Sequence, residues 1–253
     1  MWNHFGMALG FLTRLRLPGQ GSRVYSDEEV VKSLAAFPLV GLIVGAFQAV
    51  TGWGLEVCFS PQLSACWVVA LGAWLTRGLH LDGLADVADG MGGSHKIERR
   101  LEIMKDSRVG SFGVLALVFG IGLKVFSVSG LLEAHRWSAL VLVPALSRYA
   151  MVLSMHKVAY ARSEGGLGRV FVEGMGRSEW LWASVWAFLS AAVLEGLWAI
   201  VMVTTTVASA LVFQKIAKRW LGGMTGDMLG TVNEVTEILL YHAALITVQG
   251  VGP

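Results

Sequence analysis

The sequence predicts an all-α protein: a polytopic helical bundle in a membrane, with six or seven transmembrane helices and an N-terminal interfacial helix. Three observations carry this. The 253 residues are 55% apolar and only 15% charged, with mean hydropathy +0.61, too little charge to cover a soluble domain of this length. Apolar runs recur that approach the roughly 20 residues needed to cross about 30 Å of hydrocarbon. Basic residues sit in alternate connections between those runs.

In chain order, residues 1–20 place Phe5, Ala8, Leu9, Leu12 and Leu15 at helical spacing, with Pro18 as the stop. Arg14 and Arg16 follow this apolar stretch instead of preceding it, and no small-residue cleavage site follows, so an amphipathic helix lying in the interface fits better than a signal peptide. Spans follow near 33–53, 63–81, 111–132, 138–155, 180–194, 197–213 and 228–248. Only Glu195 and Gly196 separate the fifth from the sixth, so the pair is either a tight hairpin or one long bent segment. Trp53, Trp67, Trp137, Trp180 and Trp220 lie near span ends, as an aromatic belt requires.

All Lys and Arg residues except Lys124, Arg136 and Arg148 fall before the first span or in the connections 82–110, 156–179 and 215–227 and their margins. The basic residues before the first span are Arg14, Arg16, Arg23 and Lys32. The positive-inside rule makes those three connections cytoplasmic, and with seven spans puts the N-terminus inside and the C-terminus outside. The expectation is one multi-pass domain over 1–253 in the cell's inner membrane, with its chemistry facing the cytoplasm. Cys58 and Cys66 imply neither a disulfide framework nor a metal site.

The sharpest motif is HLDGLADVADG, residues 80–90. At helical spacing Asp82, Asp86 and Asp89 share an arc of about 60°. Oxygen-only ligation by carboxylates suits Mg²⁺, which also takes substrate phosphate oxygens. A solvated acidic helix start is the plainer alternative. His80, two residues before Asp82, is either a structural donor or a reacting group. A second acidic string, GGMTGDMLGTVNEVTE at 222–237, contains Gly223, Thr225, Asp227, Glu234 and Glu237 and runs into apolar sequence. Buried acids there imply a metal, a proton or a substrate hydroxyl, while its glycines also suit close helix packing. Lys105 and Arg108 follow an amphipathic stretch marked by Ile97, Leu101 and Met104, and can hold phosphate or anionic lipid. Arg162 and Arg169, with Gly165, Gly166 and Gly168, form a weaker cluster of the same kind. Lys124 and Arg148 lie inside spans and each requires a partner, with Glu234 or Glu237 proposed for Arg148. There is no Ser-His-Asp spacing and no Walker-type loop.

The strings LHLDGLADVADG, RRLEIMKDSRVGSFGV, ARSEGGLG and GGMTGDMLGTVNEVTE, with FLTRLRLP near the N-terminus, resemble the cobalamin synthase family in sequence and in order. The resemblance implies an integral membrane, Mg²⁺-dependent transferase that joins adenosylcobinamide-GDP to α-ribazole or its 5′-phosphate and releases GMP. With that reaction, the acidic strings are expected to supply Asp82, Asp86, Asp89 and Asp227 as metal ligands and Asp89 as the acceptor of the hydroxyl proton, with Asp86, Glu234 and His80 as further catalytic candidates. Lys105, Arg108, Arg162, Gly223 and Thr225 would contact the phosphates. Partners are then the two substrates and membrane lipid, with no nucleic acid; an oligomer is compatible. Two other classes stay open: a CDP-alcohol phosphotransferase of lipid synthesis, and a secondary transporter.

Overall fold

In the computed structural model, residues 2–19, 24–163 and 167–249 are described; Arg23, Gly165 and Gly166 lie outside them. The described chain is helical: α1 (Trp2–Leu12), α2 (Asp27–Lys32), α3 (Phe37–Leu55), α4 (Pro61–Leu75), α5 (Leu79–Gly93), α6 (Ile97–Ile103), α7 (Ser111–Glu133), α8 (Trp137–Met155), α9 (Leu167–Gly174), α10 (Arg177–Glu195), α11 (Ala199–Leu221) and α12 (Gly226–Gln249). Short 3₁₀ turns join α2 to α3 and α10 to α11.

Local signals set several boundaries. Ser26 and Glu29 form a reciprocal capping box at α2, and Ser60 caps α4 with Pro61 in its first turn. Four stretches are long and apolar enough to cross a membrane: Asp27–Leu55, Ser111–Glu133, Trp137–Met155 and the combined Arg177–Leu221; Pro61–Leu75 is apolar but shorter. The expected second span, 63–81, is therefore corrected. Its helix ends at Leu75, where the Thr76 hydroxyl donates back to Gly72 O (3.0 Å) and the chain turns through left-handed Arg77 (φ 59°) and Gly78 (φ 69°). The acidic string thus begins a separate helix, α5, and Asp82 is exposed on it instead of ending a span. The connection 82–110 is largely helical, and α11 extends through Leu221 into the expected loop 215–227.

The N-terminal helix also differs from expectation. It stops at Leu12 because the Thr13 hydroxyl donates to Leu9 O (2.7 Å) and Arg14 N donates to Leu75 O (2.7 Å). Ala8, Leu9 and Leu12 are buried against the bundle.

Helix α8 is the hub, buried on nearly every face. Helix α3 lies on it so closely that a Cβ on Gly41 or Gly45 would come within 2.3 Å of α8 carbonyl oxygens. Gly196 (φ 54°) opens the turn between α10 and α11, and both helices pack on α8. At one end of the bundle Arg136 donates to Glu195 (2.5 Å) and Thr247 (3.1 Å), while Gln62 meets Glu133 (2.9 Å). At the other, Arg77 donates to Phe11 O (2.8 Å), and buried Arg100 donates to Ser94 O (2.7 Å) and Trp220 O (3.0 Å).

Candidate diphosphate and metal site

The second of these ends carries the acids. Helices α5 and α12 cross so closely that a Cβ on Gly83 would sit 2.6 Å from Asp227 O, and the Thr231 hydroxyl donates to Gly83 O (3.0 Å). This contact brings Asp227 beside Asp82 and Asp86, although 145 positions separate Asp82 from Asp227. Asp86 is half-buried, and its carboxyl is pushed up to about 7 by burial, then by Asp227 and Asp82, with Arg162 opposing.

Arg162 reaches the cluster through a short extended pairing. Met224 N donates to Ala159 O (2.8 Å) and Ala161 N donates to Met224 O (2.9 Å), fixing 159–161 alongside 222–224. The Arg162 guanidinium then donates to Asp227 Oδ2 at 2.5 Å. Gly223 is needed there because a Cβ would come 2.5 Å from Ala159 O. The Thr225 hydroxyl accepts from Met228 N (3.0 Å) and opens α12. The structure gives these last two residues packing and capping work.

Asp89 occupies a different setting. Its carboxylate accepts Gly110 N (2.7 Å) and Gly113 N (2.8 Å), so it caps α7 and joins α5 to it. A cleft of about 450 Å³ opens beside it, lined by Arg99, Arg108, Gly110 and Ser111 among others. Arg108 is exposed and makes a two-point contact with Asp106 (2.7 and 3.0 Å), which holds that carboxyl down at about 2. Lys105 is exposed just beyond α6.

Glu234 is not in the cluster. Buried Lys124 donates to Glu234 Oε2 (2.6 Å) and Glu237 Oε2 (2.5 Å), and Arg148 donates to Glu237 Oε1 (2.6 Å). The expected pairing of Arg148 with an acid of the last helix is found with Glu237. The role of Lys124 as the bridge between both acids was not foreseen. His80 is buried at 1% exposure next to these groups.

Among the described residues no three His, Cys, Asp or Glu side chains converge tightly enough to enclose an ion by themselves. The donor set nevertheless fits Mg²⁺. Asp82, Asp86 and Asp227 are oxygen ligands that crowd one another, with Arg162 opposing them, and Mg²⁺ typically takes one or two carboxylates, leaving positions for phosphate and water.

The model of the cobalamin-5-phosphate synthase family matches residues 4–245. A protein of Syntrophobacter fumaroxidans named adenosylcobinamide-GDP ribazoletransferase is 48% identical over 248 residues, covering 96% of this chain and 98% of its own. Proteins of the same name from Citrobacter koseri and a Roseiflexus species are 36% and 39% identical, covering 95% and 94% of this chain and 98% and 88% of their own. No solved structure matches. A match across nearly the full length, with both acidic strings inside it, places the chain in the cobalamin-5-phosphate synthase family.

Proposed function

We propose that the protein is a membrane adenosylcobinamide-GDP ribazoletransferase whose reaction takes place at Asp82, Asp86 and Asp227. The convergence of two distant acidic strings on one solvent-open corner carries this reading. A ribazole hydroxyl oxygen attacks the phosphorus attached to cobinamide. The bond from that phosphorus to the bridging oxygen breaks, and GMP leaves with that oxygen. Asp82 and Asp227 would hold Mg²⁺, which would neutralise the diphosphate and the charge growing on GMP.

Asp86 takes the hydroxyl proton: burial, the largest cause of its raised pKa, persists when Mg²⁺ offsets Asp82 and Asp227, and a carboxyl held above the ordinary Asp range is the better acceptor. Arg162, with Nη2 already on Asp227, would donate its remaining N–H groups to a phosphate oxygen. The cleft at the start of α7 is a place for the nucleotide end only if its phosphate displaces Asp106 from Arg108 or Glu102 from Arg99, since both arginines are paired and Asp89 already holds the Gly110 and Gly113 amides. Asp89 holds that helix start in place.

Seven crossings, by α3, α4, α7, α8, α10, α11 and α12, fit the alternation of contacts at the two ends of the bundle. The basic connections then face the cytoplasm. A transporter needs acids that can bind and release an ion, whereas Glu234 and Glu237 are each tied to a buried cation.

Purified protein in detergent, given Mg²⁺, adenosylcobinamide-GDP and α-ribazole, is expected to release GMP and form one corrinoid product. CMP release from a CDP-alcohol instead, or solute counterflow in vesicles without GMP, would overturn the assignment.

A further inference from the structure

Next to Asp82 and Asp227 lies a small cavity of about 140 Å³ that the reaction as described does not use. Phe11 (α1), Phe37 (α3) and Phe171 (α9) meet in it, with ring centroids 5.1 Å apart for Phe11–Phe171 and 5.6 Å for Phe37–Phe171. Met151 and Met155 of α8 form another wall. Its one buried polar side chain is His80, 1% exposed, and neither ring nitrogen has a hydrogen-bond partner among the described residues. A buried imidazole left unpaired is costly, and five hydrophobic side chains from four separate helices line the cavity it borders.

We propose that this slot seats the base of the ribazole and that His80 reads the base's unsubstituted ring nitrogen. The inference rests on the transferase reading above. The base of α-ribazole is a flat, dimethylated benzimidazole, whose faces and methyl groups suit phenylalanine and methionine. Its free ring nitrogen is an acceptor, and a neutral imidazole N–H is a donor. With the base in the slot, the attached ribose lies at the Asp82 and Asp227 side, where its hydroxyl is needed. A base with an exocyclic amino group would bury N–H donors among Phe and Met side chains, so the slot discriminates against purines. His80 is then a specificity-determining residue.

The test compares α-ribazole with the α-linked adenine nucleoside as acceptors, using the full chain with Mg²⁺ and adenosylcobinamide-GDP. The wild type is expected to favour α-ribazole in kcat/KM by about tenfold or more. His80→Phe should reduce that preference, and His80→Gln, which keeps an N–H donor, should restore part of it. Met155→Trp, which fills the slot, should raise KM for α-ribazole about tenfold while KM for adenosylcobinamide-GDP changes less than about twofold. Should these variants fail to fold, methyl-labelled methionines in the wild type give a second reading: α-ribazole should shift the Met151 and Met155 signals by ring current. A folded Met155→Trp with unchanged α-ribazole KM, or unshifted Met151 and Met155 signals at saturating α-ribazole, would overturn the slot while leaving the transferase reading intact. Absence of GMP release in the wild type would instead sink the transferase reading.

Discussion

Replacing Lys124 by Met should destabilise the bundle severely, and adding Glu234→Gln should rescue it. Lys124 and Arg148 carry two positive charges against Glu234 and Glu237, so the buried group is neutral. Lys124→Met leaves Glu234 without its cation, its remaining hydrogen bond among the described residues being a long one from Asn233 Nδ2 (3.4 Å). Breaking one partner out of a buried pair costs about 3–5 kcal/mol, from a total stability on the order of 5–15 kcal/mol. The double variant Lys124→Met with Glu234→Gln keeps the Arg148–Glu237 pair, restores neutrality, and should recover most of the loss. Thermal unfolding in one detergent, read beside GMP release, measures both terms of the cycle. The double variant should also retain transfer, because Glu234 here serves the helix packing. The reasoning fails if Lys124→Met lies within about 0.5 kcal/mol of the wild type, a range ordinary for surface changes. A double variant that folds but transfers nothing would instead make Glu234 a reacting group, as the sequence expectation had it.

Three further outcomes follow from the site and its setting. Asp82→Asn and Asp86→Asn should each cut turnover below about a tenth of wild type at saturating Mg²⁺, measured as GMP release, while the protein stays folded. Because Asp86 must be ionised to accept a proton, the rate should fall as pH drops through its pKa, which lies below the metal-free value of about 7 once Mg²⁺ offsets Asp82 and Asp227 and above the ordinary Asp range because burial remains. With exposed Cys66 changed to Ser, native Cys58 should react with an impermeant thiol reagent on intact cells, whereas Ser94→Cys in a Cys58→Ser background should not; the reverse pattern would invert the bundle.

The apolar runs and the alternation of basic residues made the helical membrane class legible, because both are local in sequence. The break at Thr76–Gly78 was missed: the expected span carries the apolar run through Leu75 on to Leu81 across Arg77 and His80, and Gly78 is the one local hint of a left-handed turn. The acids of α5 were recognisable as a group from helical spacing, but spacing does not say what each carboxylate touches. Asp89 looks like Asp82 and Asp86 in the sequence, yet it is committed to amides 21 and 24 residues away. Glu234 likewise reads as a buried acid in want of a metal until α7 brings Lys124 to it. The aromatic slot was invisible because Phe11, Phe37 and Phe171 come from three separate helices with no shared motif. Arg148 with Glu237 was found because an intramembrane charge demands a partner and few candidates exist.

The central claim is that Asp82 of α5 and Asp227 of α12 form one metal site for the diphosphate. Mn²⁺ in place of Mg²⁺ reports this directly, since its electron paramagnetic resonance signal broadens on binding. Titrating wild type, Asp82→Asn and Asp227→Asn with Mn²⁺ in the presence of adenosylcobinamide-GDP should show tight binding in the wild type. Each variant should weaken it by about tenfold or more, the usual scale for losing a ligand or its close support. Undiminished Mn²⁺ binding in either folded variant would contradict the shared site.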